Sequence, residues 1–467
     1  MKFSINVTDA PFNATGDGVT DDSAAIQNAI NHVCKQPGQN SIIHFPAGRY
    51  LLKSPIIIEN ANSVQLVGEG SFGGTTLLYG GAEVHDVVTF NNCQHSSLQC
   101  MNIQYAHDNT ATNGNAVTLD GNCYQVLLFD VRMDYCYNGV WIKAATETRL
   151  SKVQFRSMLG TYGVRFGGPS GCYRAVLDDI IANNPYPLDY PATASIGPWA
   201  PGKEYVLGDI VDSNGCIYQC SKAGRSSTGA GPSGNGGGLR TPTPIADGGA
   251  EWNFVSNSIT WIVQESNGYS LVINKAALIN GYIGYRMTST LAPANPPMWV
   301  MACDMECDHS YYANLRLDGG QGAYITTSWF GSCLTGNAVN ILPPFLGQVS
   351  LTNSRISFAA QHGVLIGEYG NPSLPADILL QSNFIGGNSQ QKQCQFNGIV
   401  SVADGLTVNG NRIGADIAAP SARTQHAGVY IMPGSSNTIV TSNNLRTNQV
   451  PVWPDQQDGM VVMGNLA

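Results

Sequence analysis

The sequence predicts an all-β chain wound into a parallel β-helix, and three observations carry that reading. The first is a segment that recurs through the C-terminal half: an apolar residue, a polar gap often holding Asn or Gly, and a second apolar residue five positions on. It reads Leu351…Ile356, Leu380…Ile385, Val408…Ile413 and Val440…Leu445, so the second column advances by 29, 28 and 32 residues. Repetition at a period of a few tens of residues marks stacked coils. The second observation is that the same frame fits upstream, at Ile325…Phe330, Val300…Met305 and Leu278…Ile283, then at Val153…Met158, Leu128…Met133 and Leu98…Ile103. The third is composition. Charged residues are 12% of the chain, against about 25% in an average globular protein, and 53 of 467 residues are Gly. Apolar inward columns with Asn and Gly at the bends account for both. A β-sandwich or propeller would need hairpin signals at shorter spacing, and these are scarce.

The elements follow in order. Residues 1–40 form an N-terminal segment with a helix, because Ile26, Ala29, Ile30 and Val33 share one helical face behind Asp21 and Asp22. That helix is expected to cap the open edge of the first coil. Residues 41–197 form the first part of the β-helix and residues 257–467 the second. Between them, residues 198–256 shift to Gly, Ser and Pro and form a small inserted β-rich module. The register predicted for the second part puts Ile283, Met305, Phe330, Ile356, Ile385 and Ile413 in one buried stack.

The charge balance excludes some functions. With 23 basic and 32 acidic residues the net charge is −9, the wrong sign for a nucleic-acid surface. No apolar run reaches the length of a membrane span, and no signal peptide is visible behind Met1-Lys2. The twelve cysteines are scattered through apolar strand positions, which suits free buried thiols.

Asn13-Ala14-Thr15-Gly16-Asp17-Gly18-Val19-Thr20-Asp21-Asp22, with the helix after it and Ile43-His44-Phe45-Pro46-Ala47-Gly48-Arg49-Tyr50, resembles the opening of the pectate-lyase-like superfamily. Within that superfamily it is most similar to bacteriophage tailspike depolymerases. The resemblance implies that the β-helix is right-handed, and that the protein is a homotrimer on a virion tail, or otherwise extracellular, that acts on a bacterial polysaccharide and contacts phage tail or baseplate proteins. In the insert, Trp199, Tyr205, Tyr218 and Trp252, with Gly208-Asp209 between them, resemble a chitin-binding-type carbohydrate module. Their faces could stack on sugars, or they could form the core of the little domain.

The richest constellation for chemistry is Cys303-Asp304-Met305-Glu306-Cys307-Asp308-His309. If Met305 points inward, alternation puts Asp304, Glu306 and Asp308 together on the outer face. Crowded carboxylates raise one another's pKa, and glycoside hydrolysis uses one protonated and one ionised carboxyl. Glu306, central in the trio, is the expected proton donor. Asp304 is the expected nucleophile or base, with Asp308 in reserve for either role. The register predicts Tyr282 and Trp329 flanking Asp304, with Arg286 and Arg355 at the edge of a sugar groove. A solvated acidic face and a Ca²⁺ site are the competing readings. Zinc is disfavoured, since the cysteines point inward, and no metal or cofactor is expected. Asp178-Asp179, Gln361-His362-Gly363 and Arg412-Ile413 faintly resemble polygalacturonase elements, with Asp178 and Asp179 expected as bend residues.

The function expected is endo-acting depolymerisation of a capsule, O-antigen or exopolysaccharide by hydrolysis. The alternatives are β-elimination on a uronate-containing glycan, for which Arg286 and Arg355 would serve, and a non-catalytic glycan-binding fibre.

Overall fold

The structure, a computed structural model, describes residues 3–35, 41–81, 85–106, 113–184, 195–234, 243–373, 375–415, 424–454 and 459–467. The chain divides into two compact units, residues 1–164 with 181–259 and residues 165–180 with 260–467. It is nearly all β, with one helix among the described residues, and its long sheets are parallel as a parallel β-helix requires.

In the first unit the helix Ser23–Cys34 buries Ile26, Ala29, Ile30 and Val33, the face expected from their spacing. It packs on the strands Ser41–Phe45 and Ile56–Glu59. Gln27 closes the edge of the latter: its amide nitrogen donates to the Ile57 carbonyl at 2.8 Å, and its amide oxygen accepts from the Ile57 N–H at 2.9 Å. An open strand edge is thereby satisfied by a side chain. Buried Asp22 fixes the preceding turn by accepting from the backbone of Thr15 at 2.7 Å and of Gly16 at 3.0 Å. The coil columns run Ile43, Leu66, Leu98, Leu128, Leu150 in one sheet and Ile58, Phe90, Leu119, Ile142 in the other.

The insert belongs to this unit. Its five-stranded sheet, from Ile196–Pro198 to Ala250–Asn257, is largely antiparallel. Tyr205, Tyr218 and Trp252 are fully buried in its core with Val211 and Ala250. Tyr205 meets Trp252 edge-to-face at 4.8 Å. Half-buried Trp199 packs against the same core, and its indole N–H donates to Asp247 at 2.7 Å. Of the two readings of these rings, burial gives Tyr205, Tyr218 and Trp252 to the core, while Trp199 keeps part of its surface exposed. A domain this small needs them to fill its interior.

In the second unit every strand pairing from Thr260 to Met463 is parallel among the described residues. The inward columns Ile325, Leu351, Leu380, Val408, Val440 and Phe330, Ile356, Ile385, Ile413 stand as expected. Between them each coil turns on one residue of positive φ: Asp304, Thr327, Asn353, Ser382, Gly410 and Ser442, at 48–65°. The next position points inward and carries a hydrogen-bonded ladder. Ser354 N–H donates to Asn383, Asn383 to Asn411, Asn411 to Asn443 and Asn443 to Asn465, each at 2.8–2.9 Å. The buried polar corner is thus paid for by its own stacking.

The predicted stack fails at two members. Cys307, not Met305, pairs with Phe330, and Leu278 pairs with Cys307. Met305 sits two residues earlier, at the ladder position beside Ala276. Ile283 lies in the other sheet, between Thr260 and Ala313. The five-residue frame fits Val300…Met305 and Ala302…Cys307 equally well, and side-chain size favoured the wrong pair. Among the described residues no disulfide joins the twelve cysteines, and eight of them are buried.

Candidate active site

The strand Met298–Asp308 positions the acidic cluster. Beyond the corner at Asp304, Met305 and Cys307 point inward and are buried, so Glu306 and Asp308 share the outer face, partly exposed. Asp304 does not share that face. It is the corner residue itself, exposed, with φ +53°. The expected trio is therefore a pair plus a corner carboxylate, because a left-handed residue interrupts the alternation on which the trio rested.

The pair is asymmetric. Partial burial raises the pKa of Glu306, and the charges of Asp308 and Asp304 push it the same way. For Asp308 burial works in that direction too. Hydrogen bonding from His309, the charge of His309 and a hydrogen bond with Ser332 outweigh it and hold the pKa below the ordinary value. His309 Nδ1 lies 2.9 Å from the Asp308 carboxylate and also donates its backbone N–H to it at 3.0 Å. The same contact raises the His309 pKa against the effect of burial. One carboxyl biased toward its protonated form beside one biased toward its ionised form is the direction of asymmetry glycoside hydrolysis uses.

Trp329 pairs with Glu306, and Gly331 with Asp308. Gly331 is there for space: a Cβ on it would meet the Trp329 indole nitrogen at 2.6 Å and the Asp308 carboxylate at 3.0 Å. The indole and the carboxylate thus converge over a bare backbone. Arg355 is the next residue of the Trp329 column, its guanidinium 5.9 Å from the ring centroid. Across the corner, Met301, Cys303, Tyr324, Thr326 and Thr352 line a groove of about 290 Å³.

Trp329 and Arg355 therefore join the cluster, beside Glu306 rather than Asp304. Tyr282 and Arg286 do not join it. Arg286 lies on the other sheet, paired with Val263 and Arg316, and grips Asp318 through two bonds of 3.0 and 2.7 Å. Arg316 holds the same carboxylate at 2.7 Å. Tyr282 stacks on Tyr311 and Tyr312 at 5.6 and 5.5 Å. The frame counted Leu278…Ile283 as one rung, but a corner at Asn280 (φ +58°) carries the chain from one sheet to the next there.

Asp179 is a corner residue as expected (φ +55°) and pairs with Lys275 at 2.8 Å. His362 accepts from the Asn397 backbone at 2.9 Å, and burial lowers its pKa to about 4, so it serves the core. Among the described residues no group of three or more His, Cys, Asp or Glu is placed to hold a metal. His309 and Gly331 were missed as site residues. The signal for His309 was its place next to Asp308; nothing in the sequence marked Gly331.

Residues 4–184 match the family model described as rhamnogalacturonase A/epimerase, pectate lyase-like. No curated protein sequence matches the chain. Among solved structures it is similar to the A-module of the Azotobacter vinelandii mannuronan C-5 epimerase AlgE6, at 13% identity and TM-score 0.54, covering 99% of this chain and 98% of that one. The Dettilon tailspike protein matches at 13% identity and TM-score 0.53 over 98% of this chain and 70% of its own. The N-terminal fragment of bacteriophage phi29 gene product 12 matches at 9% identity and TM-score 0.55, over 99% and 71%. At these identities the likeness concerns the fold. The chain is pectate-lyase-like in sequence over residues 4–184, and it shares its parallel β-helix with phage tailspikes and epimerases.

Proposed function

We propose that the protein cleaves a bacterial surface polysaccharide by glycosidic hydrolysis, with Glu306 as general acid and Asp308 as nucleophile or water-activating base. The observation that carries this reading is the pair itself: two outward carboxyls on one strand, one biased toward its protonated form and the other toward its ionised form, with Trp329 flanking. Positions i and i+2 of a strand lie about 6.7 Å apart along the backbone, within reach of the roughly 6.5–9.5 Å separation that inversion uses and of the shorter one that retention uses. His309 keeps Asp308 ionised and oriented. Trp329 supplies an apolar face for a sugar ring.

The tailspike among the structural neighbours supports a bacterial glycan as target and a virion tail or the extracellular space as location. On this reading the chain works as a homotrimer attached to phage tail or baseplate proteins. Incubation with capsule, O-antigen and exopolysaccharide preparations tests the chemistry. Hydrolysis lowers viscosity and releases reducing ends without the absorbance of an unsaturated uronate. That absorbance would mean β-elimination, and unchanged viscosity on every glycan would mean a binding fibre.

A further inference from the structure

The outward-facing column that starts at Glu306 continues as Trp329, Arg355, Phe384 and Arg412, half-buried or exposed, each residue paired with the next across parallel strands. Carboxylate, ring, cation, ring, cation is a regular alternation in a chain with only 23 basic residues. The rings and cations touch. Phe384 lies between two guanidiniums, Arg355 at 5.3 Å and Arg412 at 5.5 Å from its centroid. Arg355 also faces the rings of Trp329 at 5.9 Å and Phe358 at 5.8 Å, and its Nε donates to Ser357 at 3.2 Å.

We propose that this column is a binding track for an acidic glycan lying along the coil axis, with negative groups on Arg355 and Arg412 and sugar faces on Trp329 and Phe384. The proposal rests on the hydrolase reading and names its substrate class, since the track leads to Glu306. Stacking on aromatic rings holds a guanidinium in one plane, and a planar guanidinium is the group that matches a carboxylate, sulfate or phosphate in geometry. Neighbouring strands are about 4.8 Å apart. Arg355 and Arg412, two strands apart, therefore stand about 10 Å from each other, and Glu306 stands about 10 Å from Arg355. The geometry suits charges that recur along a stretched glycan, with the bond to be cut beyond the first of them. The chain as a whole carries −9, so a polyanion meets general repulsion and any preference for it must come from a local cationic site.

The test measures binding to the full chain carrying Glu306→Gln, which slows turnover by about 10²–10⁴-fold. Two matched polymer pairs are used: polygalacturonate with its carboxyl-reduced form, and dextran sulfate with dextran. In at least one pair the charged member is expected to bind about tenfold tighter at low salt, with the gap closing as salt rises. The pair that shows the gap tells a carboxylate ligand from a sulfate-like one. Adding Arg355→Gln and Arg412→Gln should remove the gap and leave neutral-polymer binding unchanged. Equal affinities within both pairs, or a gap that survives the double substitution, overturn the track. Cleavage of a neutral glycan as fast as of its acidic counterpart would overturn the track and keep the hydrolase. Arginine-dependent acidic binding without cleavage of any glycan would keep the track and overturn the hydrolase.

Discussion

Glu306 and Asp308 stand two residues apart on the outer face of one strand, yet their acidities are driven in opposite directions. Burial acts on both. What separates them is His309, whose imidazole reaches Asp308 at 2.9 Å, whereas the charges acting on Glu306 are the carboxylates on either side. Acid and base are thus assigned chiefly by His309, with the Ser332 hydrogen bond acting the same way on Asp308.

Replacing Glu306 by Gln should lower turnover by about 10²–10⁴-fold, the usual general-acid contribution, with polymer binding retained. Asp308→Asn should match it. Asp304→Asn should stay near wild type, because Asn tolerates the left-handed corner and Asp304 lies off the pair's face. Reducing-end release under saturating polymer measures all three. Full loss in Asp304→Asn alone would move the site back to the corner.

The pH profile follows from the two directions. Activity needs Asp308 ionised and Glu306 protonated. The acid limb should fall below the ordinary aspartate value, near 4, and the alkaline limb above the ordinary glutamate value, also near 4. His309→Gln removes the partner that lowers Asp308, so the acid limb should move up and narrow the bell. A profile unchanged in His309→Gln would refute the assignment.

The Asp308–His309 contact also predicts a stability window. Asp308 has a lowered folded pKa, so its contribution is present above the unfolded value and is lost as pH falls through the folded one. His309 has a raised folded pKa, so its contribution is complete below the unfolded value, about 6.5, and is lost as pH rises through the folded one. Denaturation midpoints should show the largest difference between wild type and His309→Gln from about pH 4 to pH 6.5.

Gly331→Ala should damage catalysis more than folding. The added methyl would meet the Trp329 indole at 2.6 Å and the Asp308 carboxylate at 3.0 Å, and both are side chains that can swing away. Turnover should drop at least tenfold, since small misplacements at a reacting centre are costly, with a melting temperature close to wild type.

The corner ladder makes a purely structural prediction. Asn411 accepts from Asn383 and donates to the Leu380 carbonyl, both at 2.8 Å, and is fully buried. Asn411→Ala should cost about 1–3 kcal/mol for each polar group it orphans, read as a lower urea midpoint. Trp252→Ala, in the insert, should cost about 3–5 kcal/mol of that module's stability. It should leave glycan cleavage intact, as should replacing residues 198–256 by a short linker.

The coil period, the N-terminal helix face and the late columns from Ile325 to Val440 were legible in the sequence, because each rests on local periodicity: inward residues must be apolar, and bends must accept unusual backbone angles. The sequence also marked Glu306, Asp308, Trp329 and Arg355 as residues of interest in a chain poor in charge. Register was another matter. Val300…Met305 and Ala302…Cys307 satisfy the same frame, and only stacking on Phe330 chooses between them. That two-residue shift moved Trp329 from Asp304 to Glu306, and a separate corner at Asn280 carried Tyr282 and Arg286 away from the cluster. The insert's aromatics were equally undecided, since a ring suited to a sugar is also suited to a core, and burial alone distinguishes them. Local pattern determines that a coil forms; which side chains meet across coils depends on contacts some twenty to thirty residues apart, where no local rule reaches.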